Sequence, residues 1–151
     1  MDNTNYAGFW WRFLAILLDT IFLAIVECIL GMITGVLLAI ALLSIDMDQR
    51  SIQLVIQPVS QILCILISWL YHALMESSPW QATLGKKVCG LTVTDTDGAR
   101  ISFARASGRH WGKVLSGLLC MAGYIMAAFT IRKQALHDRI ANTLVLREAD
   151  S

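Results

Sequence analysis

The stretch from Arg12 to Leu43 constrains this chain most: it is long and apolar enough to cross a membrane, yet it carries Arg12, Asp19 and Glu27. A helix turns about 100° per residue, so the seven-residue step from Arg12 to Asp19 returns to nearly the same face and makes a charged stripe. Thr20, Glu27 and Thr34 repeat that step on a neighbouring line. Polar atoms therefore occupy one side of the helix, and Leu, Ile and Phe the rest. Between Phe13 and Ile33 stand thirteen Leu, Ile, Phe or Val residues. Each is worth about −0.3 to −0.6 kcal/mol at mid-membrane, against roughly +3 kcal/mol for each central carboxylate. Insertion is thus close to break-even, and Asp19 and Glu27 need protonation, a countercharge or a wet cavity. An ionisable residue inside a membrane is a functional candidate by default. The alternative for Arg12 and Asp19 is a structural clamp between helices.

Of the 151 residues, 56 % are hydrophobic and 15 % charged, and the charged ones gather outside three apolar runs, at about residues 13–43, 52–75 and 114–131. That is the pattern of a helical membrane protein, with a length suited to one domain over residues 1–151. A net charge of +1 without a long basic run gives no reason to expect nucleic acid. Residues 1–8 carry no Lys or Arg, and the first apolar run is too long for a signal peptide, so it is expected to stay as an anchor. Cys28, Cys64, Cys89 and Cys120 show no short paired spacing, and three lie in apolar runs, so no disulfide, metal or cofactor is expected.

Along the chain, Phe9, Trp10 and Trp11 beside Arg12 mark a membrane interface. Helix 1, continued to Leu43, would be about 48 Å long and must tilt, bend or protrude from a hydrocarbon layer of about 30 Å. Gly31 and Gly35 have the spacing of a close helix approach or a bend. Ser44–Ser51 reads as a short loop, acidic on balance. Helix 2 is predicted over Ile52–Met75, kinked at Pro58, with Gln53, Gln57, Gln61, Ser68 and His72 on a drifting polar face expected to turn toward helix 1. The glutamines read as interhelical glue, and His72 as an interfacial residue rather than a ligand.

The composition then turns polar and basic. Leu84–Leu91, with Lys86 and Lys87, reads as a short amphipathic helix lying on the membrane surface. A β-hairpin is predicted next: Leu91–Thr94, a turn at Asp95–Gly98, and Ala99–Ser102. The turn lacks the bidentate acid of a calcium loop. Gly85 and Lys86 lack the flanking residues of a phosphate loop. Arg105, Arg109 and Lys113 recur every four residues, a cationic stripe suited either to anionic headgroups or to pairing with Asp19 or Asp138. In the tail, Gln134–Asn142 forms a short helix with His137 and Asp138, and Thr143–Leu146 a strand able to join the hairpin near Val93. Asp138 next to Arg139 has a bland reading as a solvated pair.

Positive residues favour the cytoplasm. Both Glu76–Lys113 and the tail are basic, so a single crossing by Val114–Ile131 would misplace one of them. The expected architecture is all-α helical, with two long transmembrane helices, a short third or re-entrant helix, an amphipathic linker helix and a small cytoplasmic β-hairpin.

These motifs together resemble the RDD family of prokaryotic membrane proteins, named for one arginine and two aspartates. The arginine matches Arg12, the first aspartate Asp19 and the second Asp138. The segments QATLGKKVCGLTVTD at 81–95, ISFARA at 101–106, Arg109 and QALHDRIANTLVL at 134–146 fit its signature. The resemblance implies a multi-pass protein of the prokaryotic cytoplasmic membrane, with transport proposed for the family and cation/proton antiport suggested for some members. Glu27 is an additional charge rather than a family feature.

Two functions compete. In the first, a homo-oligomer carries a small solute or exchanges a cation for protons, with Asp19 as exchangeable carboxylate, Arg12 as its countercharge or an anion contact, and Asp138 with Arg105 or Arg109 as a gate. Gln57, Gln61, His72 and His137 support it. In the second, an accessory protein binds partner proteins or anionic lipid through Lys86, Lys87, Arg105 and Arg109. No nucleophile and base pair or cofactor fingerprint is visible, so no enzyme is expected.

Overall fold

The computed structural model describes residues 6–118 and 133–147. Helix α1 spans Phe9–Leu43 and α2 spans Gln49–Ser77. Asp48 starts α2 earlier than predicted: its carboxylate accepts the amides of Arg50 (3.1 Å) and Ser51 (3.2 Å) and the hydroxyl of Ser51 (2.5 Å). These are helix-end donors that otherwise lack partners. The helix runs on through Pro58. The shorter elements are α3 (Leu84–Val88), β1 (Leu91–Asp95), α4 (Phe103–Leu118), α5 (Leu136–Ile140) and β2 (Thr143–Arg147). Beyond Leu118, the expected third membrane segment and Cys120 lie outside the described residues.

The chain divides into two units, Thr20–Ser68 and Met1–Asp19 with Trp69–Ser151. In the first, Leu23 and Ile52 are buried, and Val55, Ile56, Ser60, Leu63, Cys64 and Ile67 form a half-buried stripe along α2. Gln53, Gln57 and Gln61 are exposed. This corrects the expectation that the glutamine face turns toward α1: the mainly aliphatic stripe takes the inward side, and the amides point away. Among the described residues, a Cβ at Gly31 or Gly35 would meet nothing within 4 Å. Glu27 is half-exposed on α1, and Thr34 returns its hydroxyl to the Leu30 carbonyl at 2.8 Å.

In the second unit β1 and β2 pair antiparallel, Leu91 opposite Arg147 and Asp95 opposite Thr143. The predicted β-hairpin is therefore corrected. Ala99–Ser102 is not a strand, and the partner of β1 is the tail strand, with Val93 opposite Val145. Asp95 folds the turn back on itself, accepting the amides of Asp97 (3.0 Å) and Ala99 (2.8 Å) on its carboxylate. Gly98 supplies the positive φ of 80°. Ser102 then accepts the Arg105 amide at 3.3 Å and starts α4 at Phe103, so the chain turns helical where the predicted strand would end. The core joins Ala7, Ala15, Ala73, Cys89, Leu91, Val93, Ile101, Ala106 and Val145, flanked by Leu18 and Trp69. Tyr6 bridges to Leu146, and the Arg147 guanidinium lies 3.9 Å over the Trp11 ring, which ties the start of α1 to the sheet.

Candidate functional site

The second unit contains a buried network of charges that gathers the ends of several elements. Asp138 sits at the third position of α5, where its carboxylate accepts the Ala135 amide at 3.2 Å and closes the first turn. The same carboxylate takes Arg12 of α1 on one oxygen and, on the other, Nε and Nη2 of Arg109 from α4, at 2.8 and 2.6 Å. The third nitrogen of Arg109, Nη1, donates to Glu76 of α2 at 2.7 Å. Glu76 also accepts Lys86 of α3, and Lys113 stands 3.6 Å from the same oxygen. A planar guanidinium carries its donors on several edges in a fixed fork, a geometry suited to bridging two carboxylates. The side chains of Arg109, Glu76 and Asp138 retain 2 %, 1 % and 0 % of their surface, so the pairing is desolvated rather than solvent-screened.

Asp19 belongs to a neighbouring arrangement in which neutral groups are its donors. It accepts the Tyr71 hydroxyl (2.8 Å), the Thr83 hydroxyl (2.5 Å) and the Gly85 amide (2.8 Å). Tyr71 in turn accepts the Leu84 amide at 2.9 Å. Gly85 allows this because α3 lies almost on the backbone of α1: a Cβ there would meet the Ala15 carbonyl oxygen and come within 2.9 Å of the Asp19 nitrogen. Replacing Tyr71 with Phe removes a hydrogen bond to a charged acceptor and strands the Leu84 amide. Thermal unfolding in detergent should register a loss of about 1.5–3 kcal/mol.

Several sequence expectations change here. Arg12 and Asp19 share a stripe but do not pair: Arg12 answers Asp138, and Asp19 is met by neutral donors. Lys86, expected to face lipid, is buried against Glu76, because Gly85 and Lys86 form the inward side of α3 and leave Lys87 and Val88 outside. Asp138 is wholly buried while Arg139 is exposed, so the two are not a solvated pair. Of the cationic stripe, Arg109 is buried in the network, whereas exposed Arg105 reaches Asp95 at 3.5 Å. The His72 ring meets that of His110 at a tilt of 47°, with centroids 5.2 Å apart, and the Trp69 ring centroid lies 6.0 Å from that of Phe103 and 6.5 Å from that of Trp111. His137 lies buried beneath Gly112, where a Cβ would come within 3.1 Å of its own. Glu76, Tyr71, Thr83 and Gly85 join the site without standing out as candidates in the sequence. The signals available were an acidic residue ending an apolar run, and the small and hydroxyl residues of QATLGKK.

Electrostatics follow the burial. Burial raises the Asp138 carboxyl, but Arg109 and then Arg12 outweigh it and hold it well below the usual carboxylate range. Burial lowers Arg109, and Asp138 and Glu76 more than restore it. Burial takes His137 down to about 3 against the pull of Asp138, so their 3.5 Å contact is not an ion pair at neutral pH. His110 falls to about 4, again mainly by burial. Burial and then Arg109 lower Lys86 to about 7, against the pull of Glu76. Between that value and the ordinary 10.5 the unfolded chain binds more protons than the folded one. Stability should therefore rise with pH through this window, by up to about 1.4 kcal/mol per pH unit from this group. Unfolding midpoints of wild type and Lys86→Met from pH 6 to 10 test this, with the slope reduced in the variant.

Two apolar helices of membrane-crossing length, with almost none of either apolar stretch buried, are what a helical membrane protein presents and the core helices of a soluble protein do not. The chain belongs to the RDD family, whose model matches residues 6–142. It is 33 % identical over 146 residues to the uncharacterized protein YxaI of Bacillus subtilis strain 168, covering 93 % of this chain and 96 % of that one. It is 30 % identical over 149 residues to the uncharacterized membrane protein YteJ of the same strain, covering 95 % and 82 %. No solved structure matches it.

Proposed function

We propose that this chain is a multi-pass protein of the prokaryotic cytoplasmic membrane that exchanges a cation or small solute for protons, working as a homo-oligomer. The buried charge network is its coupling element. The observation that carries this reading is the desolvated bridge from Arg12 through Asp138 and Arg109 to Glu76, with Lys86 and Lys113 attached. Simple anchoring of helices needs no such concentration of ionisable groups, since apolar packing of the same volume is often at least as stable. Asp19 supplies the chargeable oxygen deeper along α1, about 15 Å from the helix start. The description of YteJ as a membrane protein supports the location. Proteoliposomes loaded with a pH-sensitive dye test the activity. Sodium, potassium or lithium gradients are expected to drive proton movement that Asp19→Asn reduces at least tenfold. Absence of flux for every cation, or full flux in the variant, counts against it.

A second reading is favoured by the exposed cations Lys87, Arg100, Arg105, Lys133 and Arg139, with exposed Trp80 and Trp111 nearby in sequence. These suit an accessory protein that holds anionic lipid or an acidic partner. Mild-detergent purification yielding a stoichiometric protein partner would favour it over transport.

A further inference from the structure

The ionic network of the second unit does not balance. Four cations, the buried Lys86 and Arg109 and the partly buried Arg12 and Lys113, meet two carboxylates, Glu76 and Asp138; even with Asp19 counted, which neutral donors hold nearby, the formal charge leaves one positive in excess. Two of these cations also have donors to spare among the described residues. Arg12 gives Nε to the Ala7 carbonyl at 3.1 Å and Nη1 to Asp138, but its Nη2 is buried with no partner. Lys113 approaches only Glu76, at 3.6 Å, beyond a good hydrogen bond. A buried guanidinium nitrogen without an acceptor is costly, and surplus charge in a desolvated cluster adds to that cost.

We propose that the network includes a subsite for one singly charged oxyanion, a carboxylate or a phosphodiester, held by the free Nη2 of Arg12 and stabilised by the surplus charge to which Lys113 contributes. The oxyanion is preferred to a halide because the guanidinium edge presents in-plane N–H groups that match oxygen acceptors. The lowered pKa values of Lys86 and Lys113 fit an excess of positive charge, although burial is the larger cause in both. An anion seated there would raise both. Facing groups from every adjoining element are Arg12 and Asp19 of α1, Glu76 of α2, Lys86 of α3, Arg109 and Lys113 of α4, and His137 and Asp138 of α5. The subsite does not depend on transport and stands if the protein carries no flux.

The full-length protein in an uncharged maltoside at pH 6, below the value of about 7 to which Lys86 falls, tests it. Unfolding midpoints are read against formate, acetate and phosphatidylglycerol at constant ionic strength, with chloride as the reference salt. A saturable rise with formate or acetate identifies a free oxyanion, and a rise with the lipid alone identifies a headgroup as the source. Arg12→Lys keeps a cation for Asp138 but removes the second nitrogen, and should raise the half-saturating concentration at least tenfold. Lys113→Gln removes the surplus without breaking a short hydrogen bond; it should have the same effect, and it serves in place of Arg12→Lys if that variant does not fold. No saturable response in wild type, or an unchanged one in a folded variant, overturns the proposal.

Discussion

Asp138→Asn should be the most damaging single substitution of a charged residue in the chain. The carboxylate is fully buried and receives Arg12, both Nε and Nη2 of Arg109, and the Ala135 amide. The amide variant keeps the volume but removes the charge, leaving Arg12 without its counterion and Arg109 with Glu76 alone. Removing one partner of a buried ion pair costs about 3–5 kcal/mol, enough to unfold much of a marginally stable protein at physiological temperature. The measurement is the midpoint of thermal or denaturant unfolding in detergent beside wild type. Arg139→Gln serves as control, because that side chain is exposed and should change stability by less than about 0.5 kcal/mol.

Gly85→Ala is the second large effect, and it comes from one carbon. The added Cβ would run into the Ala15 carbonyl oxygen and lie 2.9 Å from both the nitrogen and Cγ of Asp19. Two of these atoms are helix backbone and cannot swing aside. Overpacking of this kind costs about 1–3 kcal/mol, and pushing α3 away also strains the Gly85 amide bond to Asp19, worth roughly 1.5–3 kcal/mol as a hydrogen bond to a charged acceptor. Gly31→Ala and Gly35→Ala provide the contrast. Among the described residues nothing lies within 4 Å of either Cβ, so they should leave stability unchanged or raise it by up to about 1 kcal/mol through helix propensity.

The helices and the eponymous residues were legible in the sequence; the partnerships were not. Hydrophobic runs of membrane length gave α1 and α2 within a few residues, and the apolar alternation around Val93 and Val145 gave both strands. Ser102 looked like the end of a strand because a cap residue and a short β stretch share composition, and only the helix that follows decides between them. Arg12 and Asp138 are 126 positions apart, so no local periodicity could join them. The Arg12 and Asp19 stripe was genuine, but a shared helix face makes two residues neighbours along an axis without making them partners. Lys86 and Lys87 are about 100° apart on a helix, so one of two adjacent lysines can be buried while the other is exposed. What chose between them was the missing side chain of Gly85. Glu76 ended an apolar run and read as a boundary, although it carries half of the ionic bridge.

Arg12 and Asp138 are joined across the buried network, and a double-mutant cycle measures their coupling directly. Unfolding free energies of wild type, Arg12→Gln, Asp138→Asn and the double variant, taken in one detergent at pH 7, should show the double variant losing less than the sum of the singles, by about 0.5–3 kcal/mol. Losses that simply add to within about 0.5 kcal/mol would mean that the two side chains do not meet, and would contradict the buried network on which the rest depends.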